Sequence, residues 1–175
     1  RTQTAQAMQV EINPSEYTVL IVDDTIANVL LLKVLIGNQK YRIVTAGNGM
    51  EALQAVEKES PDLILLDIMM PGMNGYEVAE KLKADPQTQE IPIIFLTALN
   101  STNDIVKGFK TGASDYISKP FNKEELLIRV THQISLIAAK RLIASQMKEL
   151  QSTIRGRDRL YSVIAHDLRS PMGSL

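Results

Sequence analysis

The sequence predicts an α/β domain, a doubly wound five-stranded parallel sheet, followed by a long C-terminal coiled-coil helix. Three observations carry that prediction. Short runs of leucine and branched side chains, such as Leu63-Ile64-Leu65-Leu66, have the unbroken apolar character of strands buried on both faces. Such runs alternate five times with segments of helical character, the pattern of repeated β-α units. Right-handed crossovers then leave few topologies, of which strand order 2-1-3-4-5 is the common one.

Residues 1–16 lack a sustained apolar period and hold the turn signal Asn13-Pro14-Ser15, so they read as a linker or the remnant of an upstream domain. The first strand is Tyr17–Val22, ending in Asp23-Asp24. A helix over about 26–36 is stopped by Gly37-Asn38. A short strand, Tyr41–Thr45, precedes Gly47-Asn48-Gly49 and a helix near Met50–Lys58. Leu63–Leu66 is the third strand, opening through Asp67 into the Pro71-Gly72 loop and a helix from about Tyr76 to Ala84. Pro92–Leu96 is the fourth, ending at Thr97. A more polar helix over Ser101–Thr111 is closed by Gly112, and Ser114–Ser118 is the fifth strand, ending in Lys119-Pro120.

Composition narrows the function classes. With 45% hydrophobic and 22% charged residues, the 175-residue chain is ordinary for a globular protein and can bury one substantial core. It has no cysteine, hence no disulfide framework and no thiolate chemistry, which fits a cytoplasmic location. No apolar run reaches the length of a membrane span. The net charge of −1 gives no case for nucleic-acid binding, although residues 121–175 are basic where residues 1–120 are acidic.

The chemistry gathers at the strand ends. In open parallel sheets, ligands bind outside the carboxyl ends of the strands. There this chain places Asp23 and Asp24, Asp67, Thr97 and Lys119. Three crowded carboxylates repel and call for a cation, and Mg²⁺ suits a shallow oxygen site because it keeps several of its waters. Lys119 supplies a point charge and Thr97 a hydroxyl, both suited to phosphoryl oxygens. Asp67 is then the nucleophile of an in-line phosphoryl transfer. Singly, each residue has a plainer explanation. Asp23-Asp24 caps a helix, Thr97 merely ends a strand, Lys119 is a surface lysine and Tyr116 a core aromatic. Those explanations do not account for complementary groups at four strand ends.

Residues 17–137 resemble a response-regulator receiver domain, the phosphoacceptor module of two-component signalling. The resemblance rests on Val22-Asp23-Asp24, on Leu66-Asp67-Ile68-Met69-Met70-Pro71-Gly72-Met73-Asn74-Gly75, on Phe95-Leu96-Thr97-Ala98, and on the run from Gly112 to Phe121. It implies a flavodoxin-like fold and Asp67 as phosphoacceptor. It also implies Mg²⁺ held by Asp24, Asp67 and the Met69 carbonyl, with Asp23 acting mainly through water. Thr97 and Tyr116 would be the switch pair, and Lys119-Pro120 a cis peptide. A histidine phosphodonor protein would be the upstream partner.

Asn122 and Glu125 form a capping box that opens the last helix, and Gly156 is the only glycine and no proline intervenes before Pro171. From Ile143 the positions Met147, Leu150, Ile154, Arg157, Tyr161, Ile164 and Leu168 follow by fours and threes, a coiled-coil seam with Arg157 as its one mismatch. The expected partner is a second copy in a parallel homodimer, against the alternative of a frayed monomeric tail. Ser162–Met172 resembles the phosphoacceptor box of histidine kinases, which implies His166 as phosphoacceptor and Asp167 as the group that orients or deprotonates it. Residues 138–175 are thus expected to be a coiled-coil linker and the first part of a kinase dimerisation helix, without the ATP-binding domain such an enzyme needs. The expectation is a piece of a hybrid histidine kinase whose receiver regulates the kinase through the coiled coil. Alternatives are a receiver that stores phosphate for His166 or another histidine, and a non-catalytic dimeric adaptor.

Overall fold

A computed structural model describes residues 11–98, 106–107 and 110–173, with side chains described to Leu168. Five parallel strands form one sheet in the order β2-β1-β3-β4-β5, as the sequence predicts. They are β1 (Thr18–Val22), β2 (Arg42–Ala46), β3 (Leu63–Asp67), β4 (Ile93–Thr97) and β5 (Asp115–Ser118). The described helices are α1 (Ile26–Gly37), α2 (Gly49–Glu59), α3 (Gly75–Ala84) and α4 (Lys123–Gly173). The helix expected over Ser101–Thr111 lies largely outside the described residues. Val106, Lys107 and Lys110 are helical.

The three central strands are buried at every position, which is why their sequences run apolar instead of alternating. The edge strand β2 is mostly exposed or half-buried and carries Arg42 and Thr45 accordingly. Ile64, Leu66, Phe95, Tyr76, Val78 and Leu82 build one core cluster between the sheet and α2–α3. Helix starts follow local chemistry: the side-chain oxygens of Asn48, Asn74 and Asn122 each accept the backbone N–H three residues on, from Glu51, Glu77 and Glu125.

Observed bounds differ from the sequence reading by a residue or so, as β1 starting at Thr18 and β2 at Arg42 illustrate. The turn signal at Asn13-Pro14-Ser15 becomes a 3₁₀ turn over Pro14–Glu16, capped by Asn13. Two compact units divide the chain, one ending at Ile137 and the other beginning at Ala138. In the first, Leu126, Val130 and Ile134 of α4 are fully buried. In the second, every described side chain from Arg141 to Leu168 is exposed. No described helix is long and apolar enough to cross a membrane.

Candidate active site

Asp67 is the last residue of β3, and its register against β1 and β4 fixes where its carboxylate stands. It is 2% exposed. The chain turns straight out of the strand, with the Ile68 N–H bonding back to the Leu96 carbonyl and the Gly75 N–H to the Ile68 carbonyl. This closure brings the first turn of α3 against Asp67 so tightly that a Cβ on Gly75 would run into the Asp67 carbonyl oxygen. Glycine is required there by contact, not by backbone angle.

Asp23, one residue past β1, is also buried, whereas Asp24 is exposed. Carboxylate oxygens of Asp23, Asp24 and Asp67 lie within 4.8 Å of one another. Lys119 follows β5 through the Thr97 carbonyl, which accepts its N–H at 2.8 Å, and the Lys119–Pro120 peptide is cis. Its ammonium bridges Asp23 Oδ2 and Asp67 Oδ1, each at 3.1 Å. Asp23 also accepts the Thr25 N–H on Oδ1 at 2.9 Å and the Asn28 side-chain amide on Oδ2 at 3.2 Å. Asp67 Oδ1 also accepts the Met69 N–H at 3.3 Å.

Two carboxylates and one ammonium leave this pocket short of positive charge. Burial first, and Asp23 second, push the Asp67 carboxyl up to about 6 against the pull of Lys119. Burial opposes the charge on Lys119, but its bonds to Asp23 and Asp67 outweigh that and hold its pKa above the ordinary value. A hard divalent cation would relieve the imbalance, and an all-oxygen set of three carboxylates in a solvent-facing pocket fits Mg²⁺. Beside the acids lies a cleft of about 210 Å³, walled by Ile26, Val29 and Leu30 of α1 and by Gly47.

The structure brings Asp23, Asp24, Asp67 and Lys119 together. Thr97 is buried at the end of β4, next to the strand end that carries Asp67. Tyr116 is half-buried on β5, paired with Phe95, and its ring stands 5.7 Å from that of Phe95, which in turn meets Tyr76 edge-on at 5.3 Å. Met69 is exposed on the loop after Asp67. His166 and Asp167 belong to the other unit and are both exposed, with His166 Nδ1 3.7 Å from Asp167 Oδ1. Sequence reasoning missed Asn28, which orients Asp23. Its signal was a lone amide in the first turn of a helix otherwise almost wholly apolar.

Residues 19–131 match the family described as the response regulator receiver domain. The chain belongs to that family. It is 45% identical over 112 residues to the response regulator PleD of Caulobacter vibrioides, covering 64% of this chain and 25% of PleD. It is 43% identical over 112 residues to the DNA-binding response regulator MtrA of Mycobacterium tuberculosis, covering 64% of this chain and 48% of MtrA. The chain therefore spans a quarter to about half of the length of these relatives. Among solved structures, the receiver domain of a signal transduction histidine kinase from Syntrophus aciditrophicus matches with a TM-score of 0.64 at 34% identity, covering 68% of this chain and 90% of that one. The receiver domain of the sensor histidine kinase PA1611 from Pseudomonas aeruginosa, with magnesium coordinated in its active-site cleft, matches with a TM-score of 0.63 at 28% identity over 67% and 97%. Receivers are modules of two-component signalling.

Proposed function

We propose that Asp67 accepts a phosphoryl group from a phosphohistidine donor, with Mg²⁺, and that the receiver thereby regulates a histidine kinase whose phosphoacceptor is His166. The observation that carries the proposal is the buried Asp67 carboxylate held by Lys119 within a cluster of three acids at the strand ends. Asp23, Asp24, Asp67 and the Met69 carbonyl are the proposed holders of the ion. When bound, Mg²⁺ supplies positive charge that offsets the carboxylates and the charge on the phosphoryl oxygens.

The rest falls to the chain's own groups. Asp67 must be ionised to attack, and Lys119 favours that form while standing ready for a phosphoryl oxygen. In the transfer an Asp67 oxygen forms the new O–P bond as the P–N bond breaks, and the leaving imidazole keeps the electron pair and takes a proton from solvent. An acyl phosphate at Asp67 needs donors, and Lys119 with the Thr97 hydroxyl and nearby backbone amides supplies them. Ile26, Leu30 and Val34 expose a contiguous apolar face of α1 beside the acids, a surface suited to a helical donor protein.

Thr97 and Tyr116 are the proposed reporters of the modification, and α4 the element that carries it. That helix starts in the receiver and is continuous in sequence and hydrogen bonding to the segment with His166. Copies would pair through the exposed stripe of its second half, in the cytoplasm where histidine kinase output acts. Intact mass after incubation with acetyl phosphate and Mg²⁺ tests the first claim: one added phosphoryl group is expected, and none in Asp67→Asn. Incorporation unaffected by that substitution would overturn it. Kinase output of a full-length protein carrying Asp67→Asn tests the second, and unchanged regulation would count against it.

A further inference from the structure

Three aromatic rings, those of Tyr76, Phe95 and Tyr116, meet on the face of the sheet that α2 and α3 cover. Phe95 is fully buried on β4, in register with Leu66 of β3 on one side and Tyr116 of β5 on the other. Tyr116 lies against it at a ring separation of 5.7 Å and an interplanar angle of 46°. Tyr76, from the first turn of α3, meets the same ring at 5.3 Å and 68°. Edge-on and offset contacts of this kind are the favoured aromatic geometries. Tyr76 is 7% exposed, and the Lys107 ammonium stands 4.8 Å from the centre of its ring, within cation–π range.

The row has two ends, and both lead to Asp67. Tyr116 stands three residues before Lys119, whose ammonium holds the Asp67 carboxylate at 3.1 Å. Tyr76 directly follows Gly75, whose N–H bonds to the Ile68 carbonyl and whose Cα leaves no room for a Cβ against the Asp67 carbonyl. One end therefore bears on the carboxylate through its counter-charge. The other bears on the backbone that carries it.

We infer that Tyr76 is a positioning residue for the phosphoacceptor, and that its ring, held between Phe95 and Lys107, moves together with Tyr116 when Asp67 is modified. This rests on the reading of Asp67 as phosphoacceptor, and it adds an aromatic and a cation to the proposed Thr97–Tyr116 pair. Packing is the reason. Phe95 has no exposed surface and a close-packed interior has no slack, so a change in how Tyr116 lies against it displaces its other aromatic neighbour. Tyr76 cannot follow without shifting the first turn of α3, which presses on the Asp67 backbone. Lys107 is exposed, so its hold on the ring is made and broken at the surface without opening the core. Core filling would account for a buried ring at 76, but leucine would then serve as well, and the cation above the ring would have no part.

The chain has five tyrosines and no tryptophan, so isotope labelling of the tyrosine rings gives a sparse NMR spectrum, assigned by replacing each tyrosine with phenylalanine. Beryllofluoride with Mg²⁺ stands in for the phosphoryl group. On titration the Tyr76 and Tyr116 signals are expected to change with one midpoint, while those of Tyr17 and Tyr41, which precede β1 and β2 at the far ends of the strands, stay in place. Lys107→Met keeps the stem and removes the charge. It should move the Tyr76 signal before any beryllofluoride is added, and weaken beryllofluoride binding about threefold. Tyr76→Phe keeps the ring and should bind within about twofold of the native chain, whereas Tyr76→Leu should bind about tenfold more weakly. A Tyr76 signal that stays put while Tyr116 changes, or native binding by both Tyr76→Leu and Lys107→Met, would overturn the inference. Should Tyr76→Leu not fold, Lys107→Met, a change at the surface, decides. Intact mass after acetyl phosphate and Mg²⁺ is read on the same samples. Incorporation with an unmoved Tyr76 sinks the coupling alone, and coupled signals without incorporation sink the phosphoacceptor reading alone.

Discussion

At Asp67, burial and the neighbouring Asp23 prevail over Lys119, and the carboxyl holds its proton up to about 6 rather than the ordinary 3.8. The sign of the consequence follows from linkage. Between those two values the folded protein binds more protons at this site than the unfolded chain, so stability falls as pH rises through the window and levels above it. Urea denaturation from pH 4 to 8 with chelator present should show that decline, and Asp67→Asn should flatten it. Gly75 makes a second point at this scale. A methyl group there meets the Asp67 carbonyl, a backbone atom that cannot step aside. Gly75→Ala should cost about 1–3 kcal/mol by urea denaturation and displace the phosphoacceptor, lowering acetyl phosphate incorporation as well.

At the scale of the element, α1 and α4 show how similar apolar content serves different ends. Of the leucines, isoleucines and valines in α1, only Leu32 and Ile36 are buried, so most of its apolar surface faces outward next to the acids. The sequence alone assigned those residues to a helix but not to a side. In α4 the first turns are ordinary, with Leu126, Val130 and Ile134 buried and Arg129 tied to Asp115 at 2.7 Å and to Glu125 at 3.1 Å. Further along, Gly156 sits mid-helix with nothing within 4 Å of where its Cβ would be. An exposed mid-helix glycine costs about 1 kcal/mol against alanine. Gly156→Ala should therefore raise helicity at 222 nm and the melting temperature of the tail. An unchanged melt would mean that this stretch is held by something other than its own backbone.

For the molecule as a whole, the Arg129–Asp115 pair is a direct side-chain link between β5, which carries Tyr116 and leads to Lys119, and the helix that leads out of the receiver. Arg129 is partly exposed, so the pair contributes stability of only about 1 kcal/mol or less. Its place matters more than its strength. Arg129→Ala should leave incorporation at Asp67 intact while speeding amide exchange in β5 and the first turns of α4, as hydrogen-exchange mass spectrometry would report. If exchange there is unchanged, the link is not a route between site and helix. Such a route needs a two-state element that both ends bias, and Thr97 with Tyr116 is the proposed one.

Most of the sheet was legible in the sequence. Fully buried parallel strands must be continuously apolar, and their polar end residues mark one crevice, so Asp23, Asp24, Asp67, Thr97 and Lys119 could be named before their positions were known. Asn28 was not named, because its one mark in the sequence, a lone amide in the first turn of an apolar helix, does not say that the side chain turns back toward Asp23. Nor was the need for glycine at 75, which arises from a carbonyl eight residues away, or the direction in which the Asp67 carboxyl shifts, which depends on how deeply it is buried. By itself the sequence determined strand order, the acid-rich strand ends and the heptad stripe, because periodicity and residue type are local properties. Only the tertiary structure decided which carboxylates meet Lys119, which face of α1 is left bare and how tightly α3 presses on Asp67, because those depend on distances between residues far apart in the chain.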